Sequence, residues 1–244
     1  MAQDNPRWGY TRIQGALANL NHKVGRGTIA KVLKGNGMEP APERSKHTSW
    51  STFLQSHWKT LAASDFFTVE VWTGRGLVTN YVLFVISLVD RMVTIAGITT
   101  RPDEPWILQI GRNVTDPLTG ALYGKRYLII DRDAKYSAQF RRVIRDSGIE
   151  VIRLPPMSPN LNAYAERFVR SIKDECLSRM IFIGQASLRR AVAEYMDHYH
   201  RERNHQGIGN RVICAPADPE SNGRYVRRRA RLGRMLNFYY LAAA

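Results

Sequence analysis

Three acidic residues occupy positions from which their carboxylates could act together. Asp65 stands immediately before the first strand pattern, in AASDFFTVEV, Asp131 directly follows the apolar run YLII, and Glu166 lies in the helical pattern NAYAERFVRSIKDE. Strand ends that feed loops are where α/β folds place ligand groups. Clustered carboxylates repel one another unless cations hold them, and two Mg²⁺ or Mn²⁺ ions would supply that charge. Such a site would perform displacement at a phosphodiester, although ordinary salt bridges would explain each acid taken alone.

Basic and polar side chains share the helix face that presents Glu166. At about 100° per residue, Asn162, Arg170 and Lys173 lie on the same side of the helix as Glu166. The apolar stripe of this helix, about a quarter turn away, consists of Ala165, Phe168, Val169, Ile172 and Cys176. The helix therefore presents an acid together with cations that would hold DNA phosphates. Because Cys176 belongs to the stripe, we interpret it as a core residue rather than a nucleophile.

The segments around these acids predict a mixed sheet covered by helices. Strand and helix patterns follow one another in the order βββ-α-β-α-β-α-α. The predicted strands cover residues 66–72, 81–89, 92–98, 127–130 and 151–154, and the predicted helices cover 102–113, 137–147, 162–180 and 187–201. The first three strands are close enough in sequence to form an antiparallel meander. Pro155, Pro156 and Pro159 mark a loop before the helix of Glu166.

The charge of the chain is strongly basic and is concentrated toward its two ends. The 244 residues carry a net charge of +15. Residues 1–49 hold eight basic and three acidic side chains, and residues 206–244 hold seven basic and two acidic, so each stretch carries +5. Basic flanks on a more balanced core predict binding to a polyanion such as nucleic acid, with a solvated basic surface as the alternative.

Several classes of protein are excluded by what the sequence lacks. It has no stretch of about 18 apolar residues, no apolar N-terminal signal segment and only two cysteines. These features argue against a membrane span, secretion and a disulfide or cysteine-rich zinc scaffold. We therefore expect a cytoplasmic protein, nucleoid-associated when bound to DNA, with no membrane partner and no small-molecule substrate. His198, His200 and His205 fit no metal-ligand spacing and are interpreted as a polar helix end.

Two short helices are predicted near the N-terminus, over residues 8–20 and 28–34. The second exposes Lys31 and Lys34, and two glycines follow or end it. The pair is compatible with helix-turn-helix binding to DNA, although short helix pairs are common.

An arginine-rich run lies near the C-terminus. It includes Arg227, Arg228 and Arg229. These side chains would contact the DNA backbone, and a solvated tail is the alternative interpretation.

Several segments together resemble one family. The stretches SDFFTVEVW, IIDRDAKYSAQF and SPNLNAYAERFVRSIKDECL resemble the integrase catalytic core of bacterial insertion-sequence transposases, which is related to retroviral integrases. HYHRERNHQGIGNR resembles the end of that core, and NPRWGYTRIQGAL with GTIAKVLKGNG resembles the helix-turn-helix segment that precedes it. The 34 residues between Asp131 and Glu166 match the family's spacing. The resemblance covers about residues 5–240.

The resemblance implies a fold, a site and an activity. The fold implied is α/β, a ribonuclease H-like mixed five-stranded sheet flanked by helices. The acidic (DDE) triad implied is Asp65, Asp131 and Glu166, which would hold two Mg²⁺ or Mn²⁺ ions, with Lys173 as a DNA contact. The activity implied is hydrolysis at the ends of a mobile element and strand transfer into target double-stranded DNA, performed by a homo-oligomer.

The domain organisation expected from these segments has four parts. They are a helix-turn-helix-like DNA-binding segment at 1–37, a linker at 38–58, the integrase catalytic core at 59–205 and a basic C-terminal tail at 206–244. Relatives carry more sequence before NPRWGY, which favours a shortened end-binding module here.

Alternatives remain open at this point. Asp133 lies two residues from Asp131 and competes with it as the second ligand, although Asp131 adjoins the strand. A ribonuclease H-like nuclease would hydrolyse DNA without joining it. A truncated, non-catalytic remnant of a transposase would bind element ends without cleaving them.

Overall fold

In the computed structural model of the protein, three long strands form the antiparallel half of the main sheet. Strands β1 (Leu61–Thr73), β2 (Gly76–Ser87) and β3 (Val93–Thr99) pair in sequence order. Gly76 has a φ of +97°, in a region that favours glycine, and it lets the chain reverse immediately after β1. The predicted antiparallel meander is therefore confirmed.

Strand β1 begins five residues before the predicted start at 66. Residues 61–64 are all buried, and a strand that is buried on both faces does not show alternation of apolar and polar residues. Asp65 consequently lies inside β1, opposite Phe84 of β2. The prediction that Asp65 stands immediately before the strand is wrong for this reason.

Two short parallel strands complete the sheet. Strand β4 (Tyr127–Ile130) pairs with β1, and β5 (Glu150–Arg153) pairs with β4, both in parallel. The strand order is β3-β2-β1-β4-β5. This mixed five-stranded sheet with helices packed on it confirms the predicted ribonuclease H-like fold class.

Helices of eight or more residues occur throughout the described parts of the chain. They are α1 (Tyr10–Asn19), α2 (Arg26–Gly35), α3 (Trp50–His57), α4 (Glu104–Val114), α5 (Ala138–Asp146), α6 (Ala163–Glu175) and α7 (Gly184–Arg201). Single turns of 3₁₀ helix lie at Trp58–Thr60, Leu177–Arg179 and Gln206–Ile208. Helix α6 ends earlier than predicted because the backbone leaves the helical region at Cys176. None of the described helices is long and apolar enough to cross a membrane.

The structure describes residues 1–5, 8–38, 50–154, 162–215 and 225–242. The chain divides into two compact units, Met1–His57 and Trp58–Ala244. Most of the predicted linker, residues 39–49, lies outside the described residues, and its later part contains α3. The predicted loop at Pro155, Pro156 and Pro159 also lies outside them.

Helices cover both faces of the sheet. Adjacent residues of β1 point to opposite faces, so this strand contacts both layers of helices. On one face, Phe66 packs against the core that contains Ile107 of α4 and Phe140 of α5. On the other face, Phe67 contacts Phe168 of α6, with 6.5 Å between ring centroids. The strand that carries Asp65 is therefore held between two layers of helices.

A buried chain of hydrogen bonds ties the segment after β4 to β1. The Tyr136 hydroxyl donates to Ser64 Oγ over 3.0 Å, and the Ser64 hydroxyl donates to the Phe84 carbonyl over 2.8 Å. Tyr136 and Ser64 are both buried, so water is not available to replace either partner. Because Tyr136 lies five residues after Asp131, this bond fixes the segment that follows Asp131 against the strand of Asp65.

A second, two-stranded sheet is formed by β6 (Tyr225–Arg231) and β7 (Leu236–Ala242), which pair antiparallel. This hairpin is not predicted from the sequence, because consecutive arginines in β6 occupy both faces and remove the alternation that marks a strand. Leu236 is buried. The Arg231 guanidinium donates to both carboxylate oxygens of Glu202, over 2.9 and 3.0 Å.

Glu202 is the buried acid that joins this hairpin to the core. Its side chain is 1% exposed. Burial alone would raise its pKa, but hydrogen bonds from Arg231, His198 and Arg229 outweigh burial and lower the pKa of Glu202 to about 2. The carboxylate therefore stays charged and attracts the hairpin across the physiological pH range.

The N-terminal unit is a small helical cluster. Ile13 of α1 packs with Ile29 and Leu33 of α2, and all three are buried. The Gln14 side chain donates to the Val24 carbonyl over 3.0 Å. The two helices therefore form a pair with an apolar core of its own.

Replacing Tyr136 with Phe removes the hydroxyl that bonds to Ser64. We expect Tyr136→Phe to lower the free energy of unfolding by about 1 kcal/mol, the usual net contribution of one hydrogen bond. Urea unfolding followed by circular dichroism measures the change. Tyr123→Phe is the matched control, since Tyr123 is 71% exposed. Equal stability of Tyr136→Phe and the parent would show that this bond does not hold the segment.

Replacing Glu202 with Gln removes the charge that Arg231 neutralises. We expect Glu202→Gln to cost about 3 kcal/mol of unfolding free energy at pH 7, because the half-buried Arg231 loses its closest carboxylate and keeps only the more distant Glu194 and Asp197. The lowered pKa means that Glu202 stabilises the fold fully above about pH 4.5 and loses this effect as the pH falls toward 2. The difference between parent and variant should therefore shrink below pH 4.5. Glu150→Gln, on the exposed end of β5, is the control, and a pH-independent difference would contradict the assignment.

Candidate active site

Strand pairing places Asp65 and Asp131 beside each other. The parallel ladder between β1 and β4 ends with Ala63 opposite Ile129. Asp65 and Asp131 each lie two residues beyond that pair, so both follow the last shared rung in the same direction. Since side chains two residues apart point to the same face of a strand, the two carboxylates emerge on the same side at this edge of the ladder.

Local hydrogen bonds orient both aspartates. The Phe66 N–H donates to Asp65 Oδ1 over 2.8 Å. The Asp133 N–H donates to Asp131 Oδ1 over 3.0 Å. Both carboxylates are half-buried, and each keeps its second oxygen available for another partner.

Glu166 lies in the first turn of α6. Its side chain is exposed. Burial raises the pKa of Asp65 to about 6, and repulsion from Asp131, Glu166 and Asp133 adds to this, while the Phe66 N–H opposes it. The charges of Asp131 and Glu166 both act on Asp65, so these two acids lie within electrostatic range of it.

Asp133 has a different environment from Asp131. Its carboxylate forms an ion pair with Lys135 Nζ, and its Oδ1 also accepts from the Lys135 N–H over 2.9 Å. Burial raises the pKa of Asp131, and the charge of Asp133 adds to this shift. Asp133 is therefore neutralised within its own turn by Lys135.

Lys135 is a site residue that the sequence analysis misses. Its Nζ lies 5.2 Å from the ring centroid of Phe66 and 5.4 Å from that of Tyr81. Its charge also lowers the pKa of Asp131, as does that of Arg153. A lysine in a loop has no periodicity to mark it, so only its nearness to Asp131 in the sequence could have pointed to it.

The donor set fits a hard divalent cation. Mg²⁺ and Mn²⁺ prefer carboxylate oxygens, and the site offers three carboxylates whose mutual repulsion a cation would relieve. Among the described residues, no three His, Cys, Asp or Glu side chains are gathered tightly enough to hold a metal ion. Closing a metal site would therefore require the exposed Glu166 side chain to move toward the two aspartates.

The predicted DNA-binding residues on α6 have different exposures. Lys173 is half-buried and Arg170 is exposed. Asn162 is 6% exposed, and its Oδ1 is buried without a hydrogen-bond partner in the described parts of the chain. Arg170 and Lys173 thus present charge to solvent beside Glu166, whereas Asn162 presents little surface.

The other predicted DNA-binding residues lie outside α6. Lys31 and Lys34 are exposed on α2 in the N-terminal unit. Arg227, Arg228 and Arg229 are exposed on β6. Of these three, Arg229 is partly engaged, because its Nη1 lies 3.3 Å from a Glu202 oxygen.

The three histidines near the end of α7 bond to three different partners. His198 Nδ1 lies 3.0 Å from a Glu202 oxygen, and His200 Nε2 accepts from the Val93 N–H over 3.1 Å. His205 Nε2 donates to the Tyr199 carbonyl over 2.7 Å. Each ring thus fastens a neighbouring segment to the end of this helix.

Residues 147–212 match the family model of the integrase core domain. The matched segment contains Glu166, Arg170 and Lys173. An uncharacterized 39.2 kDa protein of insertion element IS476 from Xanthomonas euvesicatoria is 39% identical over 62 residues. That alignment covers 25% of this chain and 18% of the length of the relative.

Two solved structures are similar to the chain. The catalytic core domain of BIV integrase is 14% identical, covering 64% of this chain and 91% of that chain, with a TM-score of 0.44. A chain of the simian T-cell lymphotropic virus intasome in complex with PP2A regulatory subunit B56 gamma is 12% identical, covering 58% of this chain and 48% of that chain, with a TM-score of 0.43.

These matches each cover part of the chain. Residues 147–212 are similar to the integrase core domain, and 62 residues are similar to a protein of an insertion element. The resemblance to integrase cores of insertion-sequence transposases, predicted from the sequence, is therefore confirmed.

Replacing Asp65 with Asn removes one of three repelling carboxylates. Because the pKa of Asp65 is raised from 3.8 to about 6, the charged form destabilises the fold above pH 6 and this penalty disappears below pH 3.8. Without divalent cations, Asp65→Asn should increase the unfolding free energy by about 1–2 kcal/mol at pH 8 and by much less at pH 4. Urea unfolding in EDTA measures this, with the exposed Asp146→Asn as control. Destabilisation at pH 8 would show that Asp65 is held by attraction.

Proposed function

We propose that the protein is a DDE-type DNA transposase or integrase. In this proposal, Asp65, Asp131 and Glu166 form a divalent-cation site that hydrolyses phosphodiesters at element ends and transfers strands into target DNA. The observation that supports it is that the Asp65 carboxyl, whose pKa burial raises to about 6, also feels the charges of Asp131 and Glu166. The integrase core match over the helix of Glu166 supports the same function.

The three carboxylates would act as metal ligands that differ in how far their side chains can move. Asp65 lies in β1 and Asp131 directly follows β4, each two residues beyond the last pair of the β1–β4 ladder, so the sheet limits how far apart they lie. Glu166 lies on a helix with an exposed side chain, so it would complete the ligand set once DNA and cations are present. Bound Mg²⁺ or Mn²⁺ would supply Lewis-acid activation and neutralise developing phosphate charge.

Positioning of DNA would fall to the basic side chains. Lys173 and Arg170, on the face of α6 that presents Glu166, would hold the phosphates beside the bond to be broken. Lys31 and Lys34 on the N-terminal pair, and the arginines of β6, would contact more distant backbone. In this arrangement residues 1–37 bind element ends, 59–205 perform the chemistry and the tail after 206 adds charge. Two ends must meet for transposition, so a homo-oligomer is part of the proposal.

No covalent intermediate is needed in this mechanism. Burial raises the pKa of the Cys176 thiol to about 11, which makes it a poor nucleophile at neutral pH. The attacking groups would be water in the first step and the released 3′-hydroxyl of the DNA in the second.

The choice between Asp131 and Asp133 gives a sharp test. Strand transfer is measured on a labelled duplex that carries the ends flanking this gene in its own element, with Mg²⁺ or Mn²⁺. Asp131→Asn should reduce joined product more than about 100-fold, since even groups behind metal ligands account for 10–100-fold. Asp133→Asn, the matched control, should retain activity within about tenfold because Lys135 already neutralises it.

The alternatives predict other outcomes. Loss of product with Asp133→Asn alone would reassign the second ligand. Cleaved but never joined DNA would indicate a nuclease. Tight, salt-dependent binding without cleavage by the parent, unchanged by Asp65→Asn, would indicate a DNA-binding remnant and would contradict the proposal.

A further inference from the structure

A cavity of about 420 Å³ lies on the side of the sheet that carries α6 and α7. Its lining includes three arginines and two tyrosines, namely Arg91, Arg167, Arg203, Tyr164 and Tyr199. We refer to these five residues as the arginine pocket. Arg91 follows β2, Tyr164 and Arg167 lie on α6, and Tyr199 and Arg203 lie at the end of α7.

The positive charge of the arginine pocket is only partly compensated. Arg203 donates to both oxygens of Glu175, with a shortest distance of 2.7 Å, so this guanidinium is neutralised. In the described parts of the chain, no carboxylate lies within ion-pair distance of Arg91 or Arg167. Two cations therefore face one cavity without a counter-charge.

Arg91 also holds an unpaired donor. Its Nη1 is buried and has no hydrogen-bond partner among the residues that the structure describes. A buried donor on a charged group is costly to leave unpaired, and such atoms generally mark a missing ligand or water. The Arg91 guanidinium lies 3.9 Å from the ring centroid of Tyr164 and 5.2 Å from that of Trp58. These aromatic contacts fix the orientation of the guanidinium without using its N–H groups.

The remaining lining groups are neutral. Burial is the main cause that raises the pKa of Tyr199 to about 12, although Arg203, Arg91 and Arg167 all oppose the shift. Burial also lowers the pKa of His205, so its ring stays uncharged at neutral pH. Because all three arginines affect the pKa of Tyr199, their positive charges all lie near this side chain. None of the described lining residues is acidic, so none would compete with an incoming anion for the arginines.

The arginine pocket is separate from the carboxylate site. Tyr164, Arg167 and Ser171 share one face of α6, whereas Glu166 and Lys173 share another, about 140° around the helix at 100° per residue. One helix therefore presents an acidic site on one side and a cationic cavity on the other. A cation would be held on the first side and an anion on the second.

We propose that the arginine pocket binds a phosphate group, held by the guanidinium groups of Arg91 and Arg167. Guanidinium forks match the geometry of phosphate oxygens and bind them in pairs of hydrogen bonds. The phosphate could be carried by the DNA backbone or by a free anion, and the two sources share this chemistry. The inference stands without the proposed function, because it uses neither the triad nor its cations.

Binding of inorganic phosphate to the full chain tests the pocket directly. Isothermal titration calorimetry compares the parent with Arg91→Gln and Arg167→Gln. Each substitution should weaken phosphate binding at least about tenfold, the usual effect of losing a hydrogen bond to a charged group. Arg142→Gln is the matched control, since the Arg142 side chain is 83% exposed on α5, and it should change binding less than twofold. Arg91→Lys keeps the charge without the fork and should restore binding only in part.

Duplex DNA tests the second source of phosphate. If the ligand is a backbone phosphate, Arg167→Gln should reduce the slope of log affinity against log salt by about 1. An unchanged slope together with weakened phosphate binding would assign the pocket to a free anion. Since Arg167 is exposed, its variant should fold, and circular dichroism checks this.

Two results would overturn the inference. One is a parent that binds phosphate no better than Arg91→Gln and Arg167→Gln in calorimetry. The other is an equal loss of binding in Arg142→Gln, which would indicate attraction by net charge alone. Asp65→Asn should keep phosphate binding while it loses strand transfer, so failure of the proposed function and failure of this inference are distinguishable.

Discussion

The parallel pairing of β1 with β4 is the interaction on which the candidate site depends. Only three rungs join the two strands, from Leu61 opposite Tyr127 to Ala63 opposite Ile129. Beyond the last rung the strands part, and the two aspartates occupy the space that opens there. The hydrogen bond from Tyr136 to Ser64 supports this short ladder from the far side of the loop. A slip of one residue would turn one aspartate to the opposite face of the sheet.

The acids of the candidate site need stabilising contacts from the structure around them. Half-buried carboxylates that repel one another destabilise a protein, so the surrounding structure must hold them. Phe67, Phe84 and Phe168 pack in that region, and 4.7 Å separates the rings of Phe84 and Phe168. This aromatic cluster fixes α6 against the sheet, and with it the base of Glu166. Packing of these aromatic rings therefore offsets the destabilising repulsion between the carboxylates a few residues away.

Much of this fold was accessible from the sequence because its signals are local. Four-residue apolar runs such as YLII and the 3.6-residue stripe of α6 do not depend on distant contacts. What escaped prediction is set by tertiary contacts. The start of β1 lacks alternation because it is covered on both faces, and the arginines of β6 gain a strand partner only in the hairpin.

In the candidate site, too, some features have local sequence signals and others are set by tertiary contacts. The triad was predicted because each acid adjoins a recognisable element. The ion pair of Asp133 with Lys135, which distinguishes it from Asp131, is a matter of side-chain geometry. The arginine pocket joins Arg91 to Arg167 across 76 residues of chain, and no pattern in either neighbourhood indicates that the two meet.

The buried Glu202 carries a consequence for any shortened form of the protein. A truncation that ends at residue 215 would remove Arg229 and Arg231 while leaving their acceptor inside the fold. Only His198 would then remain beside a carboxylate whose side chain is 1% exposed. An isolated core cut in this way would inherit an uncompensated charge. The hairpin is thus an integral part of the core, and a stable excised domain would need Glu202 replaced along with the deletion.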